Sequence, residues 1–102
     1  MLHHWDDRLK LLSVTHRIVD GFPAEELSAA EVWADRRSVT RNEYYQATQA
    51  GVRADIVFAV RAEDYGGQTL VECAGQQYDV VRSYQSEPDV IALTCARRGE
   101  RT

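Results

Sequence analysis

The chain of 102 residues is long enough for one modest core and too short for a second independently folded domain. Its 44% hydrophobic and 27% charged residues exclude wholesale disorder. Twelve Lys and Arg against sixteen Asp and Glu leave a net charge of −4, without the cationic excess on which non-specific nucleic-acid binding depends.

The opening "MLHHWDDRLK" has neither the basic start nor the apolar run of a secretory signal. No stretch reaches the roughly 20 apolar residues of a membrane span. Cytosolic synthesis and no membrane partner are the expectation. "RLKLLSVT", 8–15, mixes alternation with β-branched residues and predicts a first strand. "DGFPAEELSAA", 20–30, has a turn signal at Asp20-Gly21 and a proline at Pro23, so it reads as a loop with one helical turn at "PAEEL". "AEVWADRRSV", 30–39, predicts a second strand with Val32 and Ala34 on one face and Trp33 on the other.

"TRNEYYQATQAG", 40–51, breaks the strand pattern with the signature of a short helix. Thr40 stands at the N-cap, and Glu43 three residues later completes a capping box by reaching back to the Thr40 amide. Val39 before the cap and Tyr44 four positions in match a hydrophobic staple, and Gly51 fits the C-terminal stop. A helix of about ten residues is marginal in water without tertiary support. Helical spacing places Tyr44, Ala47 and Thr48 on one face, read as lying on the domain's own sheet, and turns Tyr45 and Gln49 about 100° away. Tyr45 is thereby the residue left for the solvent or for a partner.

"ADIVFAVRA", 54–62, alternates with Ile56, Phe58 and Val60 on one face and Asp55, Val57, Ala59 and Arg61 on the other, as a half-buried strand does. "EDYGGQ" reads as a turn, and "TLVECA", "GQQ" and "YDVVRSY" as a hairpin over 69–84. "SEPD" breaks the chain before a last strand, "VIALTCA", with Ile91, Leu93 and Cys95 together. The fold class that follows is mainly β: a small antiparallel barrel or sandwich of about six strands, with one short helix between strands 2 and 3. Tight connections favour antiparallel pairing over a βαβ fold, whose parallel crossovers need a helix between most strand pairs. Residues 1–102 form one domain, with a solvated C-terminal tail over 98–102 where Arg97, Arg98 and Arg101 cluster.

No chemistry-bearing constellation stands out. His3, His4 and His16 lack the spacing of a closed zinc site. Cys73 and Cys95 sit inside strand-like runs, where reduced core thiols are expected in a reducing compartment. There is no nucleophile elbow and no phosphate-binding glycine loop, and the pairs Asp6-Asp7, Glu25-Glu26 and Glu63-Asp64 fall at termini or in loops. Neither a catalytic role nor a cofactor is expected.

"VWADRRSVTRNEYYQATQAGVRADIVFAVR" resembles the central signature of the head-tail joining, or head closure, family of long-tailed phages. Val32, Trp33 and Ala34 match its first element, and Glu43, Tyr44, Tyr45, Ala47, Gln49 and Gly51 match its second. Gly75, Tyr78, Asp79, Val80, Leu93 and Cys95 take the places of its closing hairpin and last strand. The resemblance spans about 7–97, strongest over 31–60; the "HHWDDRL" start and "DGFPAEE" loop fall in the family's variable part and leave the register of the first strand open.

The resemblance implies a barrel-like subunit that assembles with itself as a ring, commonly twelvefold. The ring lies below the portal and adaptor, closes the DNA exit and docks the tail or its terminator. DNA in the channel would be met without sequence specificity. The chain would be made in the host bacterial cytoplasm and end in the neck of the virion. Residues 36–54, the connection between strands 2 and 3, are then the expected contact segment: Arg36, Arg37, Arg41, Asn42, Glu43, Tyr45, Gln46, Gln49 and Arg53. A segment that orders on binding suits such a part, so residues 39–54 are expected to be mobile in the free subunit. The rival class is a small OB-like module that binds nucleic acid or protein. It needs a basic, aromatic face, and Arg61 and Arg82 are the only cations in the middles of the best strands.

Overall fold

The computed structural model describes residues 4–99. In chain order the elements are β1 (Asp7–Val19), β2 (Phe22–Arg37), α1 (Arg41–Gln49), β3 (Ile56–Arg61), β4 (Leu70–Cys73), β5 (Gln76–Glu87) and β6 (Val90–Arg97), with a 3-10 turn at Ala62–Asp64. The strands close into a six-stranded barrel in the order β1-β2-β3-β6-β5-β4, with every neighbouring pair antiparallel. The protein is thus mainly β, a closed antiparallel barrel with its helix between strands 2 and 3.

Period-two alternation fills the barrel. Leu9 and Leu11 of β1 point inward with Ala34 of β2, and Phe58 and Val60 of β3 meet Leu93 and Cys95 of β6. Val71 and Cys73 of β4 and Tyr78 of β5 complete the ring, and the Phe58 and Tyr78 rings meet edge to face with centroids 5.4 Å apart. Burying each large side chain is worth about 1.5–3 kcal/mol, and edge-on ring contacts add about 0.5–1.5 kcal/mol. Both cysteines are free and buried.

The strand faces read from alternation in "ADIVFAVRA" hold for Ile56, Phe58 and Val60, but the opposite face is not solvated: Val57 and Ala59 are buried as well. Outside the barrel wall they join Ala92 and Thr94 beneath the segment that carries α1.

The largest departure from the sequence reading lies at 20–30. There is no long loop and no helical turn at "PAEEL": a two-residue turn at Asp20-Gly21 joins Val19 to Phe22, and pairing runs without a break from Asp7↔Ala34 to Val19↔Phe22. Both turn residues have positive φ, +51° and +80°, which matches the twist of antiparallel strands and is easiest for Asp-Gly. β1 therefore extends to residue 19 and β2 starts at 22, not 30. Pro23 is tolerated because β2 has no second neighbour there; its ladder with β3 covers only Ala34 to Arg37.

The other end of the sequence reading moves less. β5 runs on through "QSE" to Glu87 and turns at Pro88-Asp89, with register shifts between Val80 and Arg82 and between Gln85 and Glu87. The C-terminal tail assigned to 98–102 falls outside the described residues from 100 onward, as does His3.

Candidate interaction surface

Helix α1 begins as its sequence specifies. The Glu43 amide donates to Thr40 Oγ1 at 3.2 Å, and the Thr40 amide donates to Glu43 Oε1 at 3.2 Å, a complete capping box. It ends in a Schellman motif, in which the Val52 amide donates to the Ala47 carbonyl (2.9 Å) and the Gly51 amide to that of Thr48 (3.1 Å). Gly51 reaches φ +75°, the left-handed conformation that this motif requires.

The face that meets the barrel is not the one containing Tyr44. Ala47 is the buried side chain of α1, and Glu43, Gln46, Ala47 and Ala50 line a crevice with Val81, Arg82 and Thr94. The spacing 43, 46, 47, 50 is one helical stripe. Thr94 Oγ1 donates to Glu43 Oε2 at 3.3 Å, and Arg82 Nη1 donates to Gln46 Oε1 at 2.6 Å. Small Ala47 and Ala50 let the helix approach closely, and the two polar side chains satisfy Thr94 and Arg82. Tyr44 is consequently turned outward: it is 56% exposed, Tyr45 is 58% exposed, and their rings touch edge to face at 6.2 Å.

The chain after α1 is tied down at Asp55. Its amide donates to the Cys95 carbonyl, while its carboxylate accepts from the Arg97 amide and from Arg53 Nε, both at 2.8 Å. Residues 39–54 thus lie folded on the barrel in this structure, capped at both ends.

Of the nine contact residues expected on this segment, Arg36, Arg41, Asn42, Tyr45, Gln46, Gln49 and Arg53 are exposed. Glu43 and Gln46 serve the helix-barrel contact, and Arg53 pairs with Asp55. Arg36 and Arg37 do not belong to the connection at all: they end β2, paired with Phe58 and Val57, and Arg37 Nε binds Asp35 at 3.0 Å.

A second exposed region was not anticipated. Beyond Leu12 and before Ala34, β1 and β2 pair only with each other among the described residues, because the β4 ladder covers only Lys10 to Leu12. The result is a two-stranded arm. Near its tip Ile18 is 80% and Phe22 73% exposed, and Val14, Val19 and Leu27 are about half exposed or more. Its polar positions are matched across the strands, Arg17 Nη1 with Glu26 at 2.6 Å and Arg8 with Glu31, with Arg8 also over the Trp33 ring at 4.6 Å. The signal that could have revealed the arm is the Asp-Gly pair flanked by alternating runs.

Burial and the nearby Asp79 charge push the Cys95 thiol up to about 12, and burial followed by the Asp7 charge raises that of Cys73, with Arg36 opposing. Among the described residues no group of three or more His, Cys, Asp or Glu is arranged to hold a metal ion, and no helix is long and apolar enough to cross a membrane. No protein-family model and no curated protein matches this chain.

Proposed function

We propose that the protein is a structural subunit of a phage or prophage neck, a head closure protein that forms a ring below the portal and adaptor, closes the DNA exit and docks the tail. The observation that carries the reading is the distribution of exposed apolar surface. A closed barrel with a filled interior presents Ile18, Val19, Phe22 and Leu27 on a projecting arm and Tyr44 and Tyr45 on a docked helix. Exposed apolar residues grouped in this way mark an interaction surface, and tyrosine is enriched at such surfaces. The sequence resemblance supplies the type of assembly.

An OB-like module fits less well, since that barrel has five strands and this one has six in all-antiparallel order. Two of the exposed strand cations also sit beside carboxylates, Arg17 by Glu26 and Arg61 by Glu63. The test is complementation: DNA-filled heads made without this chain should retain DNA and accept tails once it is added. Unchanged leakage and no tail joining, with tight binding to single-stranded DNA at low salt instead, would overturn the reading.

A further inference from the structure

We propose that the β1–β2 arm of one copy docks on the α1 segment of a second copy, head to tail. The inference rests on the assembly reading above and names the surfaces that make the ring.

Three observations converge. The arm tip and the outer face of α1 are both apolar and exposed in the single chain, Ile18 and Phe22 on one, Tyr44 and Tyr45 on the other. Their charges are opposite: residues 14–31 hold four acidic residues and one arginine, residues 36–53 four arginines and one glutamate. Of those cations Arg37 and Arg53 are paired with Asp35 and Asp55, which leaves Arg36 at the end of β2 beside Cys73 and Arg41 at the exposed start of α1; Arg82 of β5 adds a further cation beside Gln46. On the arm, Glu26 is matched by Arg17 and Glu25 lies 3.7 Å from His16 Nδ1, while Asp20 and Glu25 both stay exposed beside the apolar tip. Complementary potentials of this kind select partner and orientation.

The third observation is topological. The two surfaces belong to different elements, so a contact made once leaves a free arm on one copy and a free helix on the other, whereas one made reciprocally about a two-fold axis would stop at a dimer. A contact of this heterologous type propagates, and closes into a ring when its rotation allows. A self-complementary patch would stop at a dimer.

The experiment is paramagnetic broadening between copies. A spin label is placed on the arm through Thr15→Cys, an exposed position, since native Cys73 and Cys95 are buried and take no label in the folded chain. Labelled chains are mixed with isotopically enriched wild type. Amides of 41–52 should broaden. Arg41→Glu in the enriched chain should weaken the effect at least about tenfold while leaving the helix intact, because an acid suits a helix N-terminus, and Glu25→Arg in the labelled chain should restore it. Broadening confined to 14–28, broadening elsewhere, or none overturns the proposal. If the chain still forms rings on heads, only the arm-helix contact falls. If the contact holds but the chain never attaches to heads, only the neck function falls.

Discussion

Glu43 binds Thr40 within its own helix through Oε1 and Thr94 of β6 through Oε2, so one carboxylate both starts α1 and attaches it to the barrel. Losing a cap costs about 0.5–2 kcal/mol, and a hydrogen bond to a charged group about 1.5–3 kcal/mol. Glu43→Ala should therefore cost more than Thr40→Ala, about 2–3 against about 1 kcal/mol. A double-mutant cycle by denaturant unfolding should also show coupling between the two positions. Equal costs and zero coupling would mean that the box is not formed.

Helix α1 has nine residues and one buried side chain, Ala47, whereas four of the six β3 residues are buried. Its local opening should need much less free energy than global unfolding. Amides of Ala47 to Ala50 are predicted to exchange faster than those of Val57 to Val60, in keeping with a segment that orders fully on assembly. Equal protection in the two stretches would remove the order-on-binding part of the account.

The Cys95 thiol is raised from 9.0 to about 12, first by burial and then by Asp79. Below about pH 9 both folded and unfolded thiols are protonated and its contribution to stability is complete. As pH rises from 9 toward 12 only the unfolded thiol ionises, so stability falls by up to about 1.4 kcal/mol per pH unit. Unfolding free energies across this window should decline more steeply for the wild type than for Cys95→Ala. Parallel curves would contradict the assignment.

Ala74 adopts φ +52° in the two-residue turn from Cys73 to Gln76, ahead of Gly75 at +81°. Left-handed backbone costs a residue with Cβ about 1–2 kcal/mol, and asparagine tolerates it better. Since the Ala74 side chain is exposed, Ala74→Asn should stabilise by about 0.5–1 kcal/mol, raising Tm by several degrees. An unchanged or lower Tm would show that the turn has another geometry in solution.

Much of this fold was legible because local rules act alone. Thr40 and Glu43, Gly51, and the Ile56-Phe58-Val60 alternation each specify their outcome within a few residues. The arm was not legible because Pro23, Glu25 and Glu26 look like loop composition; what overrides them is a ladder to β1 thirteen pairs long, rooted in the core at Leu9, Leu11 and Ala34 and continued past it to the turn. The orientation of α1 was misread for a related reason. Spacing with Ala47 and Thr48 and the staple to Val39 place Tyr44 on the sheet, but the barrel surface offers Thr94 and Arg82, which call for Glu43 and Gln46. Which residues meet a partner is written in what the fold leaves uncovered, and that is visible only once the strands are paired.

The most direct test of the assembly account is electron microscopy of DNA-filled, tail-less heads incubated with wild-type protein or with Tyr45→Ala. Because Tyr45 is 58% exposed, the variant should melt within about 2–4 °C of wild type, as a surface change of under about 0.5 kcal/mol does in a domain of this size. The account predicts a ring of wild-type density below the portal and its loss or marked depletion with Tyr45→Ala. Heads that bind neither protein would contradict the neck assignment, and equal rings from both would contradict the role given to the helix.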